Sequence, residues 1–110
     1  VISGSIPPGV PLSIPLDLAR ALAARGVDVV VDTSGQALKI AVSATDAAIH
    51  VLRMNHTEAN EVLGHDLRDL NEAADFAQSL VDKGAARIVI VARDREGSVL
   101  ATRGQRLHAP

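Results

Sequence analysis

Two uninterrupted runs of branched aliphatic residues constrain the fold of this chain most strongly. Val29–Val31 and Ile88–Val91 contain no polar residue, which is typical of strands buried on both faces of a parallel sheet. Before the second run, apolar residues instead recur at helical spacing, at Ala73, Phe76, Ala77, Leu80 and Val81. Strands that alternate with helices predict right-handed crossovers and an α/β fold with a mostly parallel sheet.

The remaining pattern predicts the other elements. Four helices are predicted, at Leu16–Arg25, Gln36–Ser43, Thr57–Leu63 and Asn71–Lys83. Either Asn55 or Thr57 is expected to cap the third of them. Five strands are predicted, at Val27–Asp32, Ile49–Leu52, Arg87–Ala92, Ser98–Thr102 and Gln105–His108. The last two form an antiparallel pair around Arg103-Gly104, and Val1-Ile2 is expected to be the end of a further buried strand.

Composition excludes several classes of protein. The chain has 110 residues, enough for one domain or part of one, and its 47% apolar share supports a core and argues against disorder. The absence of cysteine excludes disulfides and thiolate metal sites. A net charge of −2, with both signs interspersed and Phe76 as the single aromatic residue, gives no nucleic-acid footprint. No apolar run is long enough to span a membrane and no signal-peptide pattern is present, so we expect a cytoplasmic protein with no membrane partner.

Polar residues follow three of the predicted strands. They are Ser3-Gly4-Ser5, Asp32-Thr33-Ser34-Gly35 and Asn55-His56-Thr57-Glu58. In an open parallel sheet, the carboxyl ends of the strands line the ligand crevice. Each segment also has a simpler explanation, since Asp32 suits a helix cap or turn and Glu58 favours a helix dipole. Together the three segments predict a site for a polar ligand.

Three motifs carry a resemblance to a known family. They are Ser-Gly-Ser-Ile-Pro-Pro-Gly at residues 3–9, Val-Asp-Thr-Ser-Gly-Gln-Ala-Leu at 31–38 and Asn-x-x-Glu at 55–58. In this order and spacing they closely resemble the ribokinase-like (PfkB) carbohydrate kinases, within them the branch with the minor bacterial 6-phosphofructokinase, 1-phosphofructokinase and tagatose-6-phosphate kinase. The resemblance implies that residues 1–110 are the central-to-late part of a three-layer α/β/α sandwich. The amino-terminal sugar and lid region would precede this part, and the catalytic-base region would follow it.

The resemblance also implies roles for individual residues. Ser5 would lie beside the sugar phosphate, and Asn55 with Glu58 would organise Mg²⁺ and its waters near the phosphates of ATP. Asp32 would support the metal, while Arg53 and Gly97 would lie beside the nucleotide. These roles suit Mg²⁺, which prefers oxygen ligands and retains several waters. The general base, an aspartate in a Gly-Ala-Gly-Asp segment, is expected beyond Pro110, so no catalytic residue is assigned within the chain.

Two segments depart from the family pattern. Where relatives usually read Lys-Pro-Asn, this chain reads Arg53-Met54-Asn55, which replaces a compact ammonium by a planar guanidinium. Where they usually read Ser/Thr-x-Gly-x-x-Gly, it reads Ala-Arg-Asp-Arg-Glu-Gly at 92–97, so a hydroxyl is lost and Asp94 stands where phosphates should pass. Arg93 and Arg95 either compensate for that charge or belong to an ordinary exposed hairpin.

These observations leave three functional hypotheses. The first is an ATP-dependent kinase that phosphorylates a ketohexose phosphate and whose full-length form is a homodimer. The second is a catalytically degenerate relative that binds a sugar phosphate or a nucleotide. The third is a piece of a domain with no independent activity. The four histidines have no metal-ligand spacing, and we interpret them as structural or surface residues.

Overall fold

Within the part of the chain that the structure describes, six strands form a single sheet in which spatial order follows chain order. The structure, a computed structural model, describes residues 2–3, 9–93 and 96–109. The strands are β1 (Ile2–Ser3), β2 (Val30–Asp32), β3 (Val51–Asn55), β4 (Ile88–Ala92), β5 (Ser98–Thr102) and β6 (Gln105–Ala109). The first four are parallel, and β5 and β6 add antiparallel hairpins at one edge. The predicted mostly parallel sheet is confirmed.

Among the described residues, four helices connect the parallel strands. They are α1 (Ile14–Ala23), α2 (Gly35–Val42), α3 (His56–Leu63) and α4 (Leu70–Lys83). All four predicted helices are present, with ends displaced by up to two residues. The cap of α3 is Asn55 rather than Thr57, and the cap of α4 is Asp69, whose side chain accepts a hydrogen bond from the Glu72 amide.

Two of the predicted strands, β2 and β3, have boundaries that differ from the prediction by two or three residues. β2 begins at Val30 rather than Val27, and the side chain of Val27 is exposed. β3 begins at Val51 and continues past Leu52 to Asn55, because its backbone stays paired with β4 as far as Ala92. The predicted end at Leu52 is too early, and Arg53 lies on the exposed face of the strand, where a charged residue is tolerated.

Helices cover one face of the sheet in the part of the chain that the structure describes. One face is fully buried in register across β2 to β5, through Val31, Leu52, Met54, Val89, Val91, Val99 and Ala101. Residues of the opposite face, such as Val30, Val51 and Ile90, are only half-buried. The sequence predicted that both faces of the sheet are buried. Within residues 2–3, 9–93 and 96–109, only one face is fully buried.

An ion pair holds α1 against the connection between α2 and β3. The Nε of Arg20 donates to Oδ2 of Asp46 over 2.9 Å. Partial burial raises the pKa of Asp46, but the hydrogen bonds from Arg20 and from the Ala48 amide outweigh it, so the pKa lies below its ordinary value of 3.8. A depressed carboxylate pKa stabilises the fold above the unfolded-state pKa, and this stabilisation is lost as the pH falls through the folded-state value.

We therefore expect Asp46→Asn to reduce stability modestly at neutral pH. The loss should be at most about 1 kcal/mol, because both side chains are half-exposed and screened by solvent. The loss should shrink as the pH falls below 3.8 and disappear only below the folded-state pKa, which is lower still, where the wild-type carboxylate is protonated as well. Thermal melts of the full-length protein between pH 7 and pH 3 would measure this. Asp28→Asn, at an exposed carboxylate, is the control, and a loss that is equal at both pH values would contradict the electrostatic explanation.

Candidate active site

The parallel strands bring the predicted polar segments to one edge of the sheet. β2 ends at Asp32 and β3 ends at Asn55, and both residues lie at the carboxyl ends of their strands. In the strand register Asp32 is opposite Arg53, and Asn55 is opposite Ala92 of β4. Carboxyl ends of parallel strands form the ligand crevice of open α/β sheets. The predicted juxtaposition of the second and third polar segments is therefore present.

Asn55 and Glu58 hold each other at the start of α3. The backbone amide of Asn55 donates to Oε1 of Glu58 over 3.0 Å, and the backbone amide of Glu58 donates to Oδ1 of Asn55 over 2.8 Å. This reciprocal arrangement is a capping box, in which a helix start satisfies two of its own amides. The two side chains of the Asn-x-x-Glu motif are thus oriented by the secondary structure itself, before any ligand is present.

Asp32 and Arg53 form a cross-strand ion pair at the same edge. Nη1 of Arg53 donates to Oδ2 of Asp32 over 3.2 Å, and the side chains are 51% and 39% exposed, respectively. Arg53 reaches this position because β3 alternates, with Leu52 and Met54 turned into the core. In this structure, the guanidinium neutralises Asp32. The prediction that Arg53 lies beside the nucleotide is not tested by this contact.

The carboxylate oxygen atoms at this edge are of the kind that Mg²⁺ prefers as ligands. Asp32 uses Oδ2 for Arg53 and Glu58 uses Oε1 for the Asn55 amide, and within the described residues no hydrogen bond engages their second carboxylate oxygens. Nowhere in that part of the chain do three or more His, Cys, Asp or Glu residues form a group that could hold a metal ion. Two carboxylates that act partly through water suit Mg²⁺, which retains much of its hydration shell.

Gly97 closes the turn that joins β4 to β5. Its φ of 95° lies in the left-handed region that glycine adopts most readily, and its carbonyl accepts the Arg93 amide over 2.7 Å. The backbone of the turn thus requires this glycine independently of any ligand. Two other positions lie outside the described residues: Ser5, predicted beside the sugar phosphate, and the Asp94-Arg95 pair of the same turn.

Arg93 is the residue whose surroundings the sequence interpretation missed. The hypothesis of an ordinary exposed hairpin is wrong for this side chain, which is only 9% exposed. Its Nη1 donates to the Leu67 carbonyl over 2.7 Å and its Nη2 to Oε1 of Glu96 over 3.2 Å. The signal was present in the sequence, because alternation places residue 93 on the same face as the buried Val89 and Val91.

The fold and the strand-edge motifs agree with a match to a known family. The profile of the "pfkB family carbohydrate kinase" matches residues 1–110. The chain therefore belongs to the pfkB family of carbohydrate kinases. Among its relatives, the chain is 32% identical over 99 residues to the ATP-dependent 6-phosphofructokinase isozyme 2 of Escherichia coli K12, covering 90% of this chain and 31% of that protein. It is 33% identical over 102 residues to the 1-phosphofructokinase of Bacillus subtilis 168, covering 93% and 32%, respectively.

Structural similarity supports the same assignment. The crystal structure of phosphofructokinase-2 from Escherichia coli in complex with fructose-6-phosphate superposes with a TM-score of 0.83 at 27% identity, covering 96% of this chain and 34% of that one. The predicted ribokinase-like fold and the phosphofructokinase-type branch are thereby confirmed. The chain spans about a third of the length of these relatives. Among the described helices, none has the length and apolar character needed to cross a membrane.

Proposed function

We propose that the protein containing this chain transfers the γ-phosphoryl group of ATP to a hydroxyl of a phosphorylated ketohexose with the help of Mg²⁺. The observation that carries the proposal is the capping box of Asn55 and Glu58 beside Asp32 and Arg53 at one strand edge. Family membership and the similarity to 6- and 1-phosphofructokinases support it. Phosphoryl transfer depends mainly on positioning and charge neutralisation, which such an edge can provide.

The residues of this chain would contribute orientation and charge. Bound Mg²⁺ supplies positive charge that neutralises the phosphates during transfer. Glu58 and Asp32 would hold its waters through Oε2 and Oδ1, the carboxylate oxygens that the capping box and the ion pair do not use. Asn55 keeps Glu58 in place through the cap, and Arg53 limits the negative charge at Asp32. Because the capping box fixes these orientations in advance, little reorganisation is needed when the nucleotide binds.

Other parts of the proposal concern the whole protein. Ser5 would contact the sugar phosphate, Gly97 would allow the nucleotide to approach the turn after β4, and the general base would come from a segment beyond Pro110. A homodimer of the full-length protein belongs to the same set of proposals. None of these roles depends on the Asp32–Arg53 pair.

A second candidate is a degenerate relative that binds a sugar phosphate or a nucleotide without turnover. Specific observations favour it, since Arg53 is paired with Asp32 and Arg93 with backbone and Glu96 rather than with an open site. Ala92 also offers no hydroxyl at the end of β4. The two candidates share the fold and differ only in whether the phosphoryl group moves.

Release of ADP by the full-length protein distinguishes the candidates. We expect Mg²⁺-dependent ADP release with fructose 6-phosphate or fructose 1-phosphate, none with unphosphorylated fructose, and none after EDTA treatment. Calorimetric titration with ATP and each sugar phosphate should accompany the assay. Binding without turnover would establish the second candidate. Absence of both binding and turnover would overturn both candidates.

A further inference from the structure

The side chain of Arg93 is buried, although burial of a charged group costs free energy. Arginine is rarely inside a protein unless it is paired, and apolar replacements of buried charges are often neutral or stabilising. Arg93 is 9% exposed; its Nη2 pairs with Glu96, but its Nε has no hydrogen-bond partner among the described residues. The ion pair therefore does not satisfy the whole of the buried guanidinium. Its remaining contacts indicate what it does.

The contacts of Arg93 lead toward α3. Nη1 of Arg93 donates to the Leu67 carbonyl, and the Leu67 amide donates to Oδ1 of Asn60 over 2.8 Å. Leu67 is buried, and side chains thus hold both its backbone N–H and its backbone carbonyl. Asn60 belongs to α3, whose first turn contains Asn55 and Glu58. A continuous line of hydrogen bonds joins this helix to the loop before α4 and then to Arg93.

Arg93 also organises the turn between β4 and β5. Its amide donates to the Gly97 carbonyl over 2.7 Å, and its carbonyl accepts the Glu96 amide over 2.9 Å. Its Nη2 reaches Oε1 of Glu96 at the same time. Arg93 therefore fixes the turn through its backbone, and its guanidinium binds Leu67 in the loop that Asn60 of α3 also holds. The planar fork of arginine permits two such contacts at once, whereas the ammonium of lysine is a single compact charge.

We propose that Arg93 is a positioning residue that sets the distance between the β4–β5 turn and α3, and thereby the affinity for ATP. The inference rests on the proposed function, since it assumes that the nucleotide phosphates lie between these two elements. Arg93 acts through the turn and not by touching phosphate, because its guanidinium is engaged by Leu67 and Glu96. It would fix a turn that lacks the first glycine of the family pattern.

Steady-state kinetics of the full-length protein test this role. We expect Arg93→Met to raise KM for ATP about 10- to 100-fold, the range typical of small misplacements, with KM for the sugar phosphate within about twofold of wild type. Arg93→Lys should recover part of the loss by restoring one hydrogen bond to Leu67. Asn60→Ala, which loosens the same peptide from the other side, should shift KM for ATP in the same direction. Arg106→Met, which removes the exposed pair with Asp75, is the matched control and should leave both constants unchanged.

The outcomes separate this inference from the proposed function. If the wild-type protein turns over ATP and Arg93→Met leaves KM for ATP unchanged, the positioning role is overturned while the kinase function stands. Equal increases in both KM values would also overturn it, because they indicate a general structural defect. If Arg93→Met does not fold, Arg93→Lys and Asn60→Ala decide the matter through the same ratio of KM values. A wild-type protein with no ATP turnover overturns the proposed function, and this inference with it.

Discussion

Glu58→Gln is expected to reduce kcat/KM for ATP about 10- to 100-fold in the full-length protein, the usual range for residues that orient metal ligands. The substitution removes the charge but keeps an oxygen that can accept the Asn55 amide, and glutamine is a normal member of a capping box. The helix should therefore form as before. The Mg²⁺ concentration needed for half-maximal rate should rise, because the waters of the ion lose a charged acceptor.

A matched control for this prediction exists in α4. Glu72 also lies in the first turn of its helix, three residues after the cap Asp69, and its carboxylate pairs with Arg68 rather than with Asn55, Asp32 or Arg53. Glu72→Gln makes the same chemical change in the same helical position, and its rate and Mg²⁺ dependence should match wild type. Melting temperatures of both variants check that the helices persist. Unchanged turnover and Mg²⁺ dependence in Glu58→Gln would remove Glu58 from the proposed site.

Gly84→Ala is expected to reduce stability more than alanine substitution at any other glycine whose surroundings are described, namely Gly9, Gly26, Gly35, Gly64 and Gly104. Gly84 ends α4 with a φ of 91°, a conformation that costs other residues about 1–2 kcal/mol. A Cβ atom there would lie 2.5 Å from the Thr45 carbonyl oxygen, which cannot withdraw easily because it is backbone. Overpacking of this kind adds about 1–3 kcal/mol. Denaturant unfolding of the full-length protein should therefore show a loss of about 2–5 kcal/mol.

Gly64→Ala isolates the contribution of close approach. Gly64 ends α3 with nearly the same φ, 89°, but a Cβ there would meet nothing within 4 Å. Its loss should be limited to the conformational cost of about 1–2 kcal/mol. The difference between the two variants then measures the contact with Thr45. Equal losses would show that the backbone conformation alone explains Gly84.

Local patterns in the sequence predicted much of the architecture. The apolar run of β4 and the helical spacing in α4 need only neighbouring residues to be recognised, and both elements are present within one residue of their predicted ends. For the same reason, the sequence limited the N-cap of α3 to two candidates, Asn55 and Thr57, of which Asn55 is the cap. In contrast, the extension of β3 to Asn55 depends on pairing with β4, which no local pattern records.

The remaining features of the site arise from contacts between distant segments. Asp32 and Arg53 meet because β2 and β3 are in register, and that register is fixed by which residues enter the core. The contact of Arg93 with Leu67 joins residues 26 positions apart. Alternation along β4 could have predicted that Arg93 is buried, but not which carbonyl it binds. The close approach of Gly84 to Thr45 is likewise visible only in the folded chain.

Because β1 to β4 are parallel, their carboxyl ends lie at one edge of the sheet and the connections that precede them lie at the other. Substitutions at the two edges should have different effects. Asp32 and Asn55 lie at the carboxyl ends of β2 and β3. The close approach of Gly84 to Thr45 lies in the connections that precede β3 and β4. A mutant library confined to the connections that precede β3 and β4 should change thermal stability, with little effect on the phosphoryl transfer that we propose. A library confined to the carboxyl ends would act on the proposed site and would also disturb the capping box that starts α3. Directed evolution could therefore raise thermal stability at the first set of positions before it changes the second.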